Sequence, residues 1–245
     1  MRDAPLLVSA RAMELTIAPR FNGPPGSGHG GYVAGLIAGF LDGPARVRLH
    51  RPPPLGRALA VRRDGEGVTV LDGEAVVVSG APASVEVIIP ARVGFAEAEA
   101  ASRGYPGFRD HNFPGCFACG PARAPGDGLR IFPGSVAERG LVAAPWVPDA
   151  SLVDARGAVR PEFLWAALDC PSGWAAIVAS GGPPTVLGEL AVHLLGGVRL
   201  GEPCVIVGWT LGGEGRKRLS AAALLGEDGS PRALARATWI ALAHP

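Results

Sequence analysis

Asp169 closes an otherwise apolar stretch, Phe163-Leu-Trp-Ala-Ala-Leu-Asp169, and is the first place in this sequence where chemistry could be seated. The stretch has helical spacing, and a carboxylate buried on such a helix is costly unless a partner or a reaction uses it. The competing role is capping the segment that follows Pro171; a catalytic role is preferred. A second place is His29-Gly30-Gly31, which opens another apolar helical pattern. A helix N-terminus presents unpaired N–H donors and a favourable dipole to a developing oxyanion, and glycine lets the backbone approach a ligand closely. Alone this pattern is weak, because glycine-rich helix starts are common and His29 serves equally well as a cap.

The cysteines invite a metal or redox reading. Cys116-x-x-Cys119 is a pair at ligand spacing, but a zinc site needs two further ligands. His111, Cys170 and Cys204 are the only nearby chemistry and none makes a second pair. A redox pair would be expected in a βαβ setting, which is absent. The expectation is therefore a structural or incidental role, with no metal and no organic cofactor. Cys170 has no local histidine, so a nucleophilic triad is unsupported. Gly181-Gly182-Pro183-Pro184 lacks the Lys-Ser/Thr of a phosphate loop and reads as a turn. Glu162 reads as a partner of its helix dipole, and the five Trp read as core or pocket lining.

These residues are positioned by a faint internal repeat. Val47 to Gly56 resembles Val192 to Gly201 at a constant offset of 145 residues, each copy an alternating stretch running into Leu-Gly. Upstream of each copy lies a helix, predicted over about His29 to Leu41 and Pro161 to Ala179. Pro161 suits a first helical turn, whereas Pro171 is expected to end or kink the second helix. Downstream lie strands at Ala58–Arg63, Val68–Leu71, Glu74–Ser79 and Ser84–Ile89, then at Pro203–Thr210, Lys217–Leu225 and Ala233–Leu242. Asp64-Gly65 and Asp228-Gly229 supply hairpin turns. Each half thus reads as strand, helix and antiparallel strands, an α+β pattern. A short helix near Ala96–Ser102 precedes a segment rich in Gly, Pro and aromatics, taken as a linker.

Composition excludes several classes. With 23 basic and 22 acidic residues among 245, no excess charge asks for nucleic acid. The 36 Gly and 24 Pro, with Lys217 the only lysine, fit the coding bias of a GC-rich bacterial genome. The uncharged run Gly30–Leu41 is too short for a bilayer span of ~20 residues, and the first 15 residues carry charges that break a signal-peptide core. A soluble cytoplasmic protein without membrane partners is expected.

The local motifs carry a resemblance. Gly28-His29-Gly30-Gly31-Tyr32 resembles the opening of the hotdog helix. Cys116-Phe-Ala-Cys119-Gly120, followed by Gly128-Leu129, resembles the strand entry of the phenylacetyl-CoA thioesterase group, and Phe163–Asp169 resembles that group's helix. The chain is similar to double-hotdog acyl-CoA thioesterases, including the type II group. The resemblance implies a tandem hotdog, each half a long helix wrapped by an antiparallel sheet. The boundaries would be residues 1–103, a linker at 104–127, and residues 128–245. It also implies one composite site, with Gly30 and Gly31 N–H groups and His29 from the first helix and the catalytic carboxylate Asp169 from the second. Asn22, Tyr32 and Trp165 would line the substrate cleft. The reciprocal site is degenerate, because Arg160-Pro161-Glu162 replaces His-Gly-Gly and Ala38 or Gly39 stands where an Asp would align. The implied substrate is an acyl-CoA or acyl-carrier thioester, hydrolysed by water. A non-catalytic thioester binder is the runner-up. A hydratase or dehydratase comes third, since His29 lacks an evident second partner. Both a monomer and a homodimer suit this architecture.

Overall fold

The computed structural model describes residues 13–136, 139–181 and 185–242. The expected turn at 181–184 and the first residues of the chain fall largely outside them. The strands are β1 (Met13–Thr16), β2 (Ala45–Leu49), β3 (Ala58–Asp64), β4 (Gly67–Asp72), β5 (Ala75–Pro82), β6 (Gly134–Val136), β7 (Leu141–Trp146), β8 (Thr185–Leu194), β9 (Cys204–Glu214), β10 (Lys217–Leu225) and β11 (Pro231–Ala241). The helices are α1 (Gly30–Ala38), α2 (Phe95–Ser102) and α3 (Pro161–Ser180).

All eleven strands join one antiparallel sheet in the order β1-β3-β4-β5-β2-β8-β11-β10-β9-β7-β6. Outward from its centre, the first half runs β2-β5-β4-β3-β1 and the second β8-β11-β10-β9-β7, so both halves share one connectivity. A large antiparallel sheet with few helices agrees with a hotdog fold. The halves meet where β2 pairs with β8, Ala45 opposite Val192 and Val47 opposite Leu190. Shifting the first of these pairs by the 145-residue offset, forward in one strand and back in the other, yields the second. The sequence repeat and the register at the seam therefore describe the same symmetry.

One face of the sheet holds α1 and α3 in a continuous core with Ile37, Val47, Leu190, Ile206 and Leu224. Behind the second half, α2 and the segment before it cover Val205, Val207, Trp209 and Ala221. Both faces of the sheet are thus apolar along Cys204–Trp209 of β9 and Ala221–Leu225 of β10, which explains the apolar runs there.

Two expectations need correction. The alternating stretch Ser84–Ile89 forms no strand: Val87 and Ile89 pack on the back of the second half without a ladder. Pro171 does not end the helix, because α3 continues through it to Ser180. Neighbouring strands enclose this turn so tightly that a Cβ on Gly208 would lie 2.3 Å from the Pro171 carbonyl oxygen, and packing outweighs the lost backbone bond. Residues 104–127 pack as a wall of the core, where Tyr105 and Phe117 are buried.

The central helices touch through glycine. A Cβ on Gly35 would lie 2.6 Å from Glu162 Cα, a backbone atom that cannot turn aside. Gly35→Ala should improve helix propensity by up to about 1 kcal/mol yet lower stability by about 1–3 kcal/mol through overpacking. Urea unfolding of both proteins checks this, and an unchanged midpoint would show that the helices can separate at no cost.

Candidate active site

His29 is the N-cap of α1, with extended backbone angles and Nδ1 accepting the Tyr32 N–H at 3.2 Å. That bond fixes the tautomer: a neutral ring accepting at Nδ1 carries its proton on Nε2. The Nε2 atom lies 3.3 Å from Asp169 Oδ2 and 3.4 Å from Cys170 Sγ. Asp169 Oδ2 also accepts the Gly31 N–H at 2.6 Å. The first turn of α1 is therefore held against the middle of α3 by a carboxylate. Glycine is required there, since a Cβ on Gly31 would meet Asp169 Cβ at 2.5 Å and one on Gly30 would meet Leu187 Cδ2 at 2.8 Å.

Asp169 and His29 are each only 2% exposed, so the pair is sealed from solvent as it stands. The second carboxylate oxygen, Oδ1, is buried without a hydrogen-bond partner. Burial pushes the Asp169 carboxyl up to about 6, against the pull of His29 and the Gly31 N–H. For His29 burial acts downward, but the charges of Asp169 and Cys116 outweigh it and the imidazole is raised above its ordinary value.

The structure brings His29, Gly30, Gly31 and Asp169 together and gives the other expected residues different work. Tyr32 stacks on Phe21 with ring centroids 4.0 Å apart and tilts against Phe163. Burial raises its hydroxyl to about 12. Trp165 is buried beneath α1, its carbonyl 2.8 Å from where a Gly31 Cβ would stand. Asn22 donates to the Gly23 and Gly115 carbonyls and accepts from Arg123, so its amide ties down the Gly115 segment. Glu162 lies in the first turn of α3, paired with Arg160 at 3.4 Å.

Two contacts escape sequence reading. His29 has a carboxylate partner after all, Asp169, 140 positions away. Cys116, Cys119 and Cys170 also gather beside this pair: Cys116 Sγ lies 3.6 Å from Cys119 and 3.8 Å from Cys170. The x-x spacing of the first two was visible, but only the packing of residues 104–127 against α3 brings the third to them.

No protein-family model matches the sequence, and no curated protein matches it. Among solved structures, the chain is similar to proteins of the thioesterase superfamily. Zebrafish thioesterase superfamily member 2 aligns with 49% of this chain and 90% of its own at 19% identity, with a TM-score of 0.44. The E. coli PaaI protein from the phenylacetic acid degradation operon aligns over 47% and 81% at 15% identity, with a TM-score of 0.42. A hypothetical thioesterase from Streptococcus pneumoniae, solved with coenzyme A, aligns over 43% and 83% at 18% identity, with a TM-score of 0.40. No helix among the described residues is long and apolar enough to cross a membrane.

His29→Asn keeps a good N-cap but removes the reach to Asp169 and Cys170, whereas His29→Ala removes both. The alanine variant should be less stable than the asparagine variant by about 1 kcal/mol, the worth of a cap. Thermal unfolding of the two side by side measures the difference, and equal melting temperatures would show that the Tyr32 bond contributes nothing.

Proposed function

We propose that the chain is a tandem hotdog that hydrolyses an acyl-CoA or acyl-carrier thioester at one composite site between its halves. The units would be residues 1–103 and 128–245, with 104–127 between them. The observation that carries this reading is the contact of Gly31 and Asp169, a helix N-terminus from one half facing a carboxylate from the other. Asp169 has one oxygen anchored by His29 and Gly31 and the other free of partners. A water placed on that free oxygen loses a proton to it while attacking the thioester carbonyl. The carbonyl oxygen, gaining negative charge, is received by the Gly30 N–H, the first-turn donor that neither Asp169 nor His29 engages. The carbon–sulfur bond then breaks, and the thiol leaves with a proton. His29 is a positioning residue here, since its Nε2 proton is directed at Asp169. Because the pair is sealed, the cover formed by Leu187 and its neighbours must move to admit substrate.

The reciprocal site supports the same reading. Counting from the residues that precede the helices, His29 and Arg160, Gly31 corresponds to Glu162 and Asp169 to Ala38. The pseudo-equivalent position thus has neither the close-approach glycine nor the carboxylate, and turnover belongs to one side.

A hydratase or dehydratase acting on enoyl or hydroxyacyl thioesters gains from the His29–Asp169 pair. It remains second, because the imidazole has its basic nitrogen engaged by Tyr32. Release of free thiol from a panel of short, medium, long and aromatic acyl-CoAs separates the two, with enoyl absorbance followed in parallel. Hydrolysis is expected, with kcat/KM lowered about 10²–10⁴-fold in Asp169→Asn, the span of general-base contributions. Parental rates in that variant would sink the assignment, and a change in enoyl absorbance without thiol release would favour the second reading. Acyl-CoA that raises the melting temperature without turnover would identify a binder.

A further inference from the structure

Three of the four cysteines converge at one point although they come from distant parts of the chain. Cys116 and Cys119 lie in a turn so tight that a Cβ on Gly120 would meet Pro114 O at 2.4 Å and Cys116 N and O at 2.5 Å. Cys170 reaches them from α3, and all three are buried. Cys116 Sγ is in contact with Cys119 Sγ at 3.6 Å and with Cys170 Sγ at 3.8 Å, well beyond the ~2.05 Å of a disulfide. Tetrahedral zinc with Zn–S bonds of ~2.3 Å separates its sulfurs by roughly 3.8 Å, the edge of such a tetrahedron. His29 Nε2 and the sulfurs of Cys116 and Cys170 all lie within 4.8 Å of one another.

Two other roles for this cluster fail on geometry. A Cys170–His29–Asp169 triad needs its cysteine and carboxylate on opposite ring nitrogens. Both face Nε2, while Nδ1 accepts from Tyr32. A disulfide joins two sulfurs, and Cys116 stands between two candidates, so any pairing strands a third buried thiol. Three thiols around one centre are suited to a soft cation.

The geometry points to a zinc-class metal site in which Cys116, Cys119 and Cys170 are thiolate ligands. Soft thiolates select Zn²⁺ over hard cations, and binding it releases the thiol protons to solvent. Two imidazoles face the cluster. His29 Nε2, whose proton is directed at Asp169, lies 3.4 Å from Cys170 Sγ, and His111 Nε2 lies 3.3 Å from Cys119 Sγ. His111 accepts the Phe113 N–H at Nδ1, so its Nε2 proton is directed at Cys119. His111 serves as an outer hydrogen-bond donor, the arrangement that orients and tunes metal ligands. A fourth corner is left for water or another exogenous donor. The cation would clip the 116–119 turn to α3 one residue from Asp169. This inference does not rest on thioester hydrolysis, since its test reads metal and not turnover.

The test uses the full chain, purified under reducing conditions, stripped with chelator, reloaded with Zn²⁺ and desalted. Elemental analysis should find about one Zn²⁺ per chain in the parent and in Cys204→Ser, the cysteine outside the cluster. Cys116→Ser, Cys119→Ser and Cys170→Ser should each retain about tenfold less or lower still. The parent loaded with Co²⁺ instead should show thiolate-to-cobalt charge transfer in the near ultraviolet, with the visible bands of a tetrahedral site. That spectrum keeps the proposal falsifiable even if the serine variants fail to fold. A parent that retains no Zn²⁺ and shows no charge-transfer band overturns the site. So does full retention of metal in folded Cys170→Ser.

Discussion

Everything at the centre of this molecule depends on how closely α1 and α3 approach. Gly31 and Gly35 remove the side chains that would hold the helices apart, and Asp169 and Trp165 fill the space they leave. Closeness has an electrostatic consequence. A carboxylate in an apolar core is expensive, but here it meets the positive end of a helix and a short N–H bond from Gly31. The same contact that packs the two helices supplies the solvation Asp169 lost on burial. It does so for one oxygen only, which leaves Oδ1 as the least satisfied acceptor at the interface.

That interface is asymmetric although the sheet around it is not. The strands repeat their order on both sides of the β2–β8 seam, and the register there maps onto itself. The helices do not follow: α1 has 9 residues and α3 has 20. Where the first helix opens on histidine and glycines, the second opens on Arg160, whose guanidinium lies 4.6 Å from the Phe163 ring centroid. One end of the helix pair therefore concentrates polar groups and the other is filled with packing.

Much of this was legible in the residues. The 145-residue offset, the two helices and most strands follow from periodicity and turn chemistry, whereas the pairing of His29-Gly30-Gly31 with Asp169 was implied by the resemblance to hotdog thioesterases. What escaped were features set by tertiary contact. Ser84–Ile89 alternates like a strand, but alternation reports only that one face is buried, and here the burying surface is the back of another sheet. Pro171 carries a strong local signal that a fully enclosed helix overrides. The third cysteine at the 116–119 turn lies far away in sequence, where spacing rules have no reach.

The seam between β2 and β8 is made within one chain. Two separate subunits would have to find each other, and the fraction assembled would fall on dilution. Here the encounter is intramolecular, governed by the effective concentration that the connecting segment imposes. The helix pair therefore assembles by first-order kinetics to the same extent at any protein concentration. Each half is also free to mutate without the other changing in step. A substitution such as Ala38 opposite Glu162 is inherited on one side alone, which a symmetric pair of identical chains could never achieve.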